Sequence, residues 1–346
     1  MMKFKEMIRN SAWGGAILNS YMYVYLRDYR QIKRVLNTFK KSASKDLISD
    51  MVNEHRTCKI PYNEYLLFHF DAVSNPKDRA KFVNDNERLI AAAKMNSPED
   101  DPLFYDKAKT YQLFRKYYLR DVIRIDKTCS ISEFESFVAK HPRFICKPID
   151  GGCGTGIKIM NVEGKASPEK IFQSLIEEYN GKCFAEELIK QVGVLEDLHP
   201  KSVNTVRMPT VRFDDRVEVI HPFLRVGQGE SITDNAGSGG ILCTVDSKGI
   251  VQATADEFGN KFAVHPDSKK ELIGFGIPKW EEAVELVKEL AMCVPNNRYC
   301  SWDLALTEKG WALVEANAKG QFIWQYATQI GFRDELNLIM QELGLK

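Results

Sequence analysis

The sequence predicts an α+β fold, in which helices and antiparallel strands share the chain. Three observations carry this. Residues 31–100 have a helical texture, broken near Lys59-Ile60-Pro61 and Asn75-Pro76. After Pro102, helices alternate with short strands. From 203 to 258 the chain is mostly strand, read from "VNTVRMPTVRF", "RVEVIHPFLRV" and "GGILCTVD". Antiparallel hairpins dominate, which favours α+β over a doubly wound parallel sheet.

At 346 residues and 44% hydrophobic content, the chain can bury a sizeable core in two or three lobes. Its formal net charge of +1 shows no bias toward polyanions, so nucleic acid is not an expected partner. The eight cysteines form no CxxC pair, so structural zinc and thioredoxin-type chemistry fail on spacing, and free thiols suit a reducing cytosol. The apolar stretch from Ser11 to Leu26 contains Asn19 and Ser20, lacks a small-residue cleavage pattern and is shorter than the ~20 residues a span requires. A soluble, cytoplasmic chain is the expectation.

Taken in order, residues 1–50 carry ten Lys/Arg against four Asp/Glu, an excess of six. Leu18, Tyr21, Met22, Tyr25 and Leu26 fall at helical spacing. This reads either as an amphipathic helix with a solvated basic face or as a docking surface for an anionic membrane or a partner enzyme. A helix from about Lys107 to Leu119 leads to a strand, Asp121 to Ile125. Ser132, with Glu135 three residues on, forms the pattern of a capping box for the next helix. Then follow the strand Arg143–Pro148, a glycine-rich loop, the strand Gly156–Val162, a helix from about Ser167 to Tyr179 and the strand Cys183–Ile189. A helix from about Lys279 to Cys293 precedes a hairpin at 300–317, and a last helix closes the chain.

The loop Gly151–Gly156 holds four glycines in six residues. It does not match GxxxxGK[ST]. A dinucleotide or kinase pattern starts at Gly152 and Gly154 but fails at Ile157, and the residues that follow alternate as a strand. What remains is a glycine-rich turn between antiparallel strands, where backbone N–H groups can approach an anion closely. Lys147, held extended by Pro148, places a point charge at its mouth. A flexible hairpin would also use glycines; the preceding lysine favours phosphate binding.

In "SWDLALTEKGWALVEANAKG" (301–320), a three-residue loop Glu308-Lys309-Gly310 would pair Thr307 with Trp311 and set Asp303 opposite Glu315, with β-carbons ~5 Å apart. Two opposed carboxylates repel unless a cation lies between them, and Asn317 shares the face of Glu315. Three oxygen donors on one spot suit a hard cation such as Mg²⁺ bridging phosphates. On this reading, removing one carboxylate should leave the metal-free protein as stable or slightly more so. Solvated acids on a surface hairpin are the alternative.

The Lys-Pro strand, the glycine loop, the "CFAEELI" strand and the late Asp…Glu-x-Asn set together resemble the ATP-grasp superfamily. "SVNTVRMPTV", "GSGGI" and "WDLALTEKGWALVEAN" resemble, more specifically, its sugar-transfer-associated branch, over residues 105–325. The resemblance implies an ATP-grasp fold: a helical N-terminal region at 1–104, a first lobe at 105–190 and a second at 191–346. It implies ATP and two magnesium ions as cofactors. Lys107 and Lys147 would be the phosphate lysines, and Gly151, Gly152, Gly154, Thr155 and Gly156 the lid. Glu186, Glu187 and Ile189 would form the adenine hinge, with at most one of the two acids facing the nucleotide. Glu196 would meet the ribose, with Gln191 and His199 as competitors. Arg207 would meet the transferring phosphate; on its apolar strand an unpaired arginine is costly, so an anionic partner is expected. Asp303, Glu315 and Asn317 would hold the metal. Asn204, Asn235, Ser238 and Gly239 are acceptor-site candidates, although Asn204 also fits a strand-end bridge and the 237–240 loop also fits a plain turn.

The resemblance implies an ATP-dependent carboxylate–amine ligase acting through an acyl phosphate, on small-molecule substrates linked to a sugar or cell-surface polysaccharide precursor. A phosphotransferase to a sugar hydroxyl and a nucleotide-binding adaptor of a glycosyltransferase are the alternatives. The complete lysine, arginine and metal sets argue against the adaptor.

Overall fold

The structure, a computed structural model, describes residues 27–149, 156–163 and 167–345. The apolar spacing from Leu18 to Tyr25, Leu26 itself and the loop residues Gly151, Gly152, Gly154 and Thr155 lie outside them. The chain divides into two compact units, Met1–Asn86 with Gln329–Arg333, and Glu87–Thr328 with Asp334–Lys346.

The first unit is helical where described. A helix spans 27–38, followed by Lys45–Cys58 and Tyr62–Leu67. The break read at Lys59 is a left-handed C-cap (φ 58°), and the one at Asn75 is a helix start, where the Asn75 side chain accepts from Lys77 N. Phe68, Phe70 and Phe82 pack ring against ring at 4.7–5.5 Å. Arg79 anchors this cluster by donating to both Asp50 oxygens (3.1 and 2.7 Å) and to Glu54 (2.8 Å).

The second unit contains two antiparallel sheets. The first has β1 (Val122–Ile125), β2 (Arg143–Pro148), β3 (Lys158–Asn161) and β4 (Cys183–Glu187) in the order β1-β4-β2-β3. Helices Ile131–Lys140 and Pro168–Glu178 pack Phe134, Phe137, Phe172 and Leu175 against Phe144, Cys146, Cys183 and Ala185. Because strand side chains alternate, Lys147 and Glu186 leave from the opposite face.

The expected capping box falls two residues earlier than read. Ser130 is the N-cap: its Oγ accepts from Glu133 N (3.2 Å) and Glu133 Oε2 accepts from Ser130 N (2.9 Å). Ser130…Glu133 and Ser132…Glu135 satisfy the same local pattern. The earlier start places Ile131 one turn below Phe134, against the same core.

The second sheet has β5 (Val206–Arg212), β6 (Val217–Val219), β7 (Phe223–Val226), β8 (Ile241–Val245), β9 (Val251–Ala255), β10 (Tyr299–Thr307) and β11 (Gly310–Asn317). Their order is β11-β10-β5-β7-β8-β9, with β6 on β5. Val206, Met208, Leu224, Val226, Trp302 and Leu304 point into the core under helix Trp280–Met292. Arg207, Arg225 and Asp303, between those positions, emerge together on the other face.

The hairpin between β10 and β11 differs from the expected loop. Thr307 pairs with Gly310, at φ 106°, leaving only Glu308 and Lys309 in the turn. That register would set Asp303 opposite Val314. A bulge between Asp303 and Leu304 restores the pairing of Asp303 with Glu315.

Two outcomes follow from these contacts. Ser130→Ala should cost about 1 kcal/mol in a urea melt, while Ser132→Ala should change stability by only a few tenths. The second concerns His265, fully buried, in the segment of chain that joins β9 to helix Trp280–Met292. Its Nδ1 lies 3.3 and 3.2 Å from Asp267 N and Ser268 N, which donate to it, so Nε2 carries the proton and donates to Gly227 O (2.8 Å). Burial lowers its pKa. Between its folded pKa and the ordinary value of about 6.5, the unfolded chain binds the extra proton, so stability is present above that value and is lost as pH falls. Melting temperatures from pH 7.5 to 5.5 should fall more steeply for the wild type than for His265→Gln.

Candidate active site

Asp303 lies on the face of the second sheet opposite its apolar core and is 1% exposed. It is the cross-strand neighbour of Arg207, which donates from Nε to Oδ1 (2.6 Å) and from Nη2 to Oδ2 (2.7 Å). Arg225, one strand further, donates from Nη2 to Oδ2 (2.8 Å). Burial alone would raise the Asp303 pKa, but Arg207 and then Arg225 outweigh it and hold the carboxylate below its usual range. Burial would likewise lower the Arg207 pKa, and Asp303 reverses this. The anionic partner expected for Arg207 is therefore in the protein itself.

Arg225 and Asp234 escaped the sequence reading. Arg225 donates from Nε and Nη2 to Thr205 Oγ1 (3.0 and 2.6 Å) and from Nη1 to Asn235 Oδ1 (3.2 Å). Asp234 accepts from Thr205 N (2.9 Å) and Thr205 Oγ1 (2.5 Å) and lies 3.4 Å from Arg225 Nε. Burial raises the pKa of Asp234 despite these partners. The signal for Arg225 was present in "PFLRV": a charged residue at an alternate position of an apolar strand, the same signal that marked Arg207.

The Val314 bulge decides what β11 contributes. Trp311 and Leu313 point into the core, so regular alternation would bury Glu315 there as well. The extra residue inverts the alternation, and Glu315 and Asn317 turn toward Asp303 while Ala316 enters the core. Asn317, opposite Ser301, has a buried Nδ2 with no hydrogen-bond partner. This donor set fits a hard divalent cation: two carboxylates and an amide that would bind through its Oδ1. Of about four lone-pair positions on Asp303, three are taken by guanidinium groups, so it can offer one more.

In the first sheet, the Lys147 ammonium pairs with Glu186 Oε1. Arg120 donates from Nε to Oε2 of the same carboxylate (2.9 Å). Glu186 is 3% exposed; burial opposes its charge, but Arg120 and Lys147 together hold its pKa at about 2. Arg120, also unread in the sequence, donates from Nη1 to Leu313 O (2.6 Å), linking this cluster to the residue before the bulge. Glu187 faces the other way and accepts from Asp121 N (3.1 Å), so of the two hinge acids only Glu186 shares the lysine's face. Lys107 opens helix Lys107–Tyr118, capped by the Asp106 side chain (2.9 Å to Ala108 N), and its own N–H donates to Ile149 O, two residues beyond Lys147. Gly156, at φ 76°, closes the glycine loop above Pro148. β4 ends at Glu187, and Ile189 lies half-buried in the segment that follows.

Among the ribose candidates, Gln191 exchanges two bonds with the Asn204 backbone (2.6 and 2.8 Å), and His199 bonds Ser202 (2.8 Å) and Gly229 O (3.1 Å). Both are buried, whereas Glu196 is exposed. Asn204 is fully buried. Its Nδ2 donates to Leu195 O and His199 O, and its Oδ1 accepts from Gly227 N and Ser202 Oγ. Its amide therefore has nothing left to offer an acceptor, and its role is the strand-end bridge. Asn235 touches the Arg225 cluster, Ser238 is exposed, and Gly239 turns the loop at φ 87°.

The two arginines reverse the expected stability effect at the hairpin. Asp303→Asn should cost about 3–5 kcal/mol in urea melts without nucleotide or metal, because it leaves two buried guanidinium groups against a neutral amide. Glu315→Gln should change stability by no more than about 0.5 kcal/mol. Equal effects of the two would contradict this arrangement.

Among solved structures, the chain is similar to the ATP-grasp ligase PsnB complexed with precursor peptide PsnA2 and AMPPNP, at 15% identity and a TM-score of 0.43, covering 72% of this chain and 62% of PsnB. It is similar to D-alanine–D-alanine ligase from Bacillus anthracis at 12% identity and a TM-score of 0.44, covering 72% and 70% of the two chains. It is also similar to N5-carboxyaminoimidazole synthetase from Staphylococcus aureus complexed with ADP, at 13% identity and a TM-score of 0.42, covering 70% and 53%. The chain thus spans less than two thirds of the length of PsnB. No curated protein matches it. The profile of one family covers residues 86–341, most of the chain, and by that match the protein belongs to the sugar-transfer associated ATP-grasp family.

Proposed function

We propose that the protein is an ATP-dependent ligase that joins a carboxylate to an amine through an acyl phosphate, and that one of its substrates is a sugar or polysaccharide precursor. The observation that carries this reading is the shared face of Arg207, Arg225, Asp303, Glu315 and Asn317: two fixed guanidinium groups directly beside a hard-cation donor set. Phosphoryl transfer between oxygens needs both.

Lys147, Lys107 and the glycine loop would hold the phosphates of ATP, with Glu186 orienting the Lys147 ammonium. Magnesium, held by Glu315, Asn317 and the remaining lone pair of Asp303, would offset phosphate charge. A substrate carboxylate oxygen attacks the γ-phosphorus, the new O–P bond forms and ADP leaves. The amine nitrogen then attacks the acyl carbon, the C–N bond forms, and phosphate and a proton depart. Arg207 faces the developing negative charge in both steps. Asp303 and Arg225 hold its guanidinium in place beforehand, so little reorganisation accompanies the reaction. The chemistry requires no side-chain nucleophile, and burial pushes up the thiol pKa of Cys243 and Cys300 rather than activating them.

Mg-ATP should stabilise the protein by about 2.7 kcal/mol at a hundred times its dissociation constant, and Lys147→Ala should abolish most of that gain while leaving the protein folded. With Mg-ATP, uronic acids and amino compounds, a ligase releases phosphate only when both acceptors are present. Phosphorylation of a sugar hydroxyl with no phosphate release would establish the phosphotransferase instead, and an unchanged melting temperature at millimolar Mg-ATP would remove both.

A further inference from the structure

A cavity of about 280 Å³ opens at the rim of the second sheet, lined by Gln228, Gly229, Gly239, Asp256, Glu257 and Phe258. Its walls are three consecutive strand ends. Gln228 and Gly229 follow β7, Gly239 precedes β8, and Asp256 to Phe258 follow β9. In the ladder, Arg225 pairs with Leu242 and Leu242 with Ala255, so the cavity stands at the end of the row that begins at Arg225. Two strand spacings separate β7 from β9, roughly 10 Å.

The cavity is coupled to the arginine cluster. Arg225 Nη1 donates to Asn235 Oδ1, and Asn235 O accepts from Ser238 N (2.9 Å) and Gly240 N (3.0 Å), which flank Gly239. The wall at Gly239 is therefore hung on the residue that Arg225 holds.

The two acids of the cavity differ. Asp256 is taken up by its own turn: Oδ1 accepts from Phe258 N (2.8 Å) and Asn260 N (2.9 Å), and Oδ2 from Asn260 Nδ2 (2.8 Å). Glu257 is half-buried and has no cationic partner among the described residues. Burial and the neighbouring Asp256 both raise its pKa, which is what a carboxylate short of a counter-charge shows. Phe258 is 39% exposed beside it, an aromatic surface of the kind that receives a cation or the apolar face of a sugar ring.

We propose that this cavity is an outer subsite for the amine co-substrate, in which Glu257 pairs with a second, non-reacting ammonium group while the reacting amine reaches back along that row toward Arg225. The proposal rests on the ligase reading and narrows it: the co-substrate carries two cationic nitrogens, as a diamine or an amino compound with a distal ammonium does.

The experiment compares cadaverine with 5-amino-1-pentanol, and lysine with norleucine. Each pair keeps one amine and exchanges the distal ammonium for a neutral group. Binding is measured by titration calorimetry on the full chain, with and without a saturating non-hydrolysable Mg-ATP analogue. The wild type should bind at least one dication ten times or more tighter than its neutral-ended counterpart. E257Q should erase the preference and E257K reverse it, with nucleotide affinity unchanged in both. Equal binding within both pairs, no binding of any of the four, or a preference that survives in E257Q overturns the proposal. Loss of Mg-ATP binding with the preference intact would refute the ligase reading and leave the cationic subsite standing. Mg-ATP binding without the preference would do the opposite.

Discussion

Two guanidinium groups and one carboxylate, removed from water together, set the terms for the second sheet. A buried arginine without a partner costs several kcal/mol, and so does a buried aspartate. Arg207, Arg225 and Asp303 avoid that cost only by lying on one face at hydrogen-bonding distance. The cross-strand register of β10 on β5 supplies the first pair, and the length of the Arg225 side chain, reaching across β5, supplies the second. Thr205 and Asn235 accept from Arg225 as well, and Asp234 lies 3.4 Å from its Nε, so the group is locked from both sides. Such an assembly is weak evidence for stability, since an apolar replacement of the whole set could serve equally well. Its value is electrostatic: guanidinium donors fixed in place before any phosphate arrives.

The hairpin is shaped to this purpose. Its two-residue turn, taken with regular strands, would bury Glu315 in the core and set Val314 against Asp303. One extra residue corrects both, because a shift of one position exchanges the faces of a strand. The bulge thus supplies the site with Glu315 and Asn317 while Leu313 and Ala316 remain in the core. Arg120 meets the hairpin at Leu313 O and the first sheet at Glu186. The Lys147–Glu186–Arg120 group repeats the arrangement of the second sheet with the charges in the same ratio, two cations to one carboxylate. In both sheets the charged group lies on a face whose reverse is apolar core.

Much of the architecture was legible in the sequence because it rests on local signals. Alternation marked the strands, and helical spacing marked Trp280–Met292 and Ile131–Lys140. The errors were also local in origin. Two S-x-x-E pairs overlap at 130–135, and only packing against Phe134 selects the first. Asn204 looked available to an acceptor because its polarity was visible and its four buried partners were not.

The sequence by itself determined the order of elements and the family; it set Asp303 opposite Glu315 through a three-residue loop, and the structure reaches that pairing through a two-residue turn and a bulge instead. It also determined that Arg207 needs an anion. Only the tertiary structure decided which anion, and that a second arginine would share it. Arg207 lies 96 residues from Asp303, Arg225 lies 78, and Arg120 lies 66 from Glu186. Burial obliges a charge to find a counter-charge, and periodicity can expose that obligation. The identity of the partner depends on which strands become neighbours, and no local pattern carries that information.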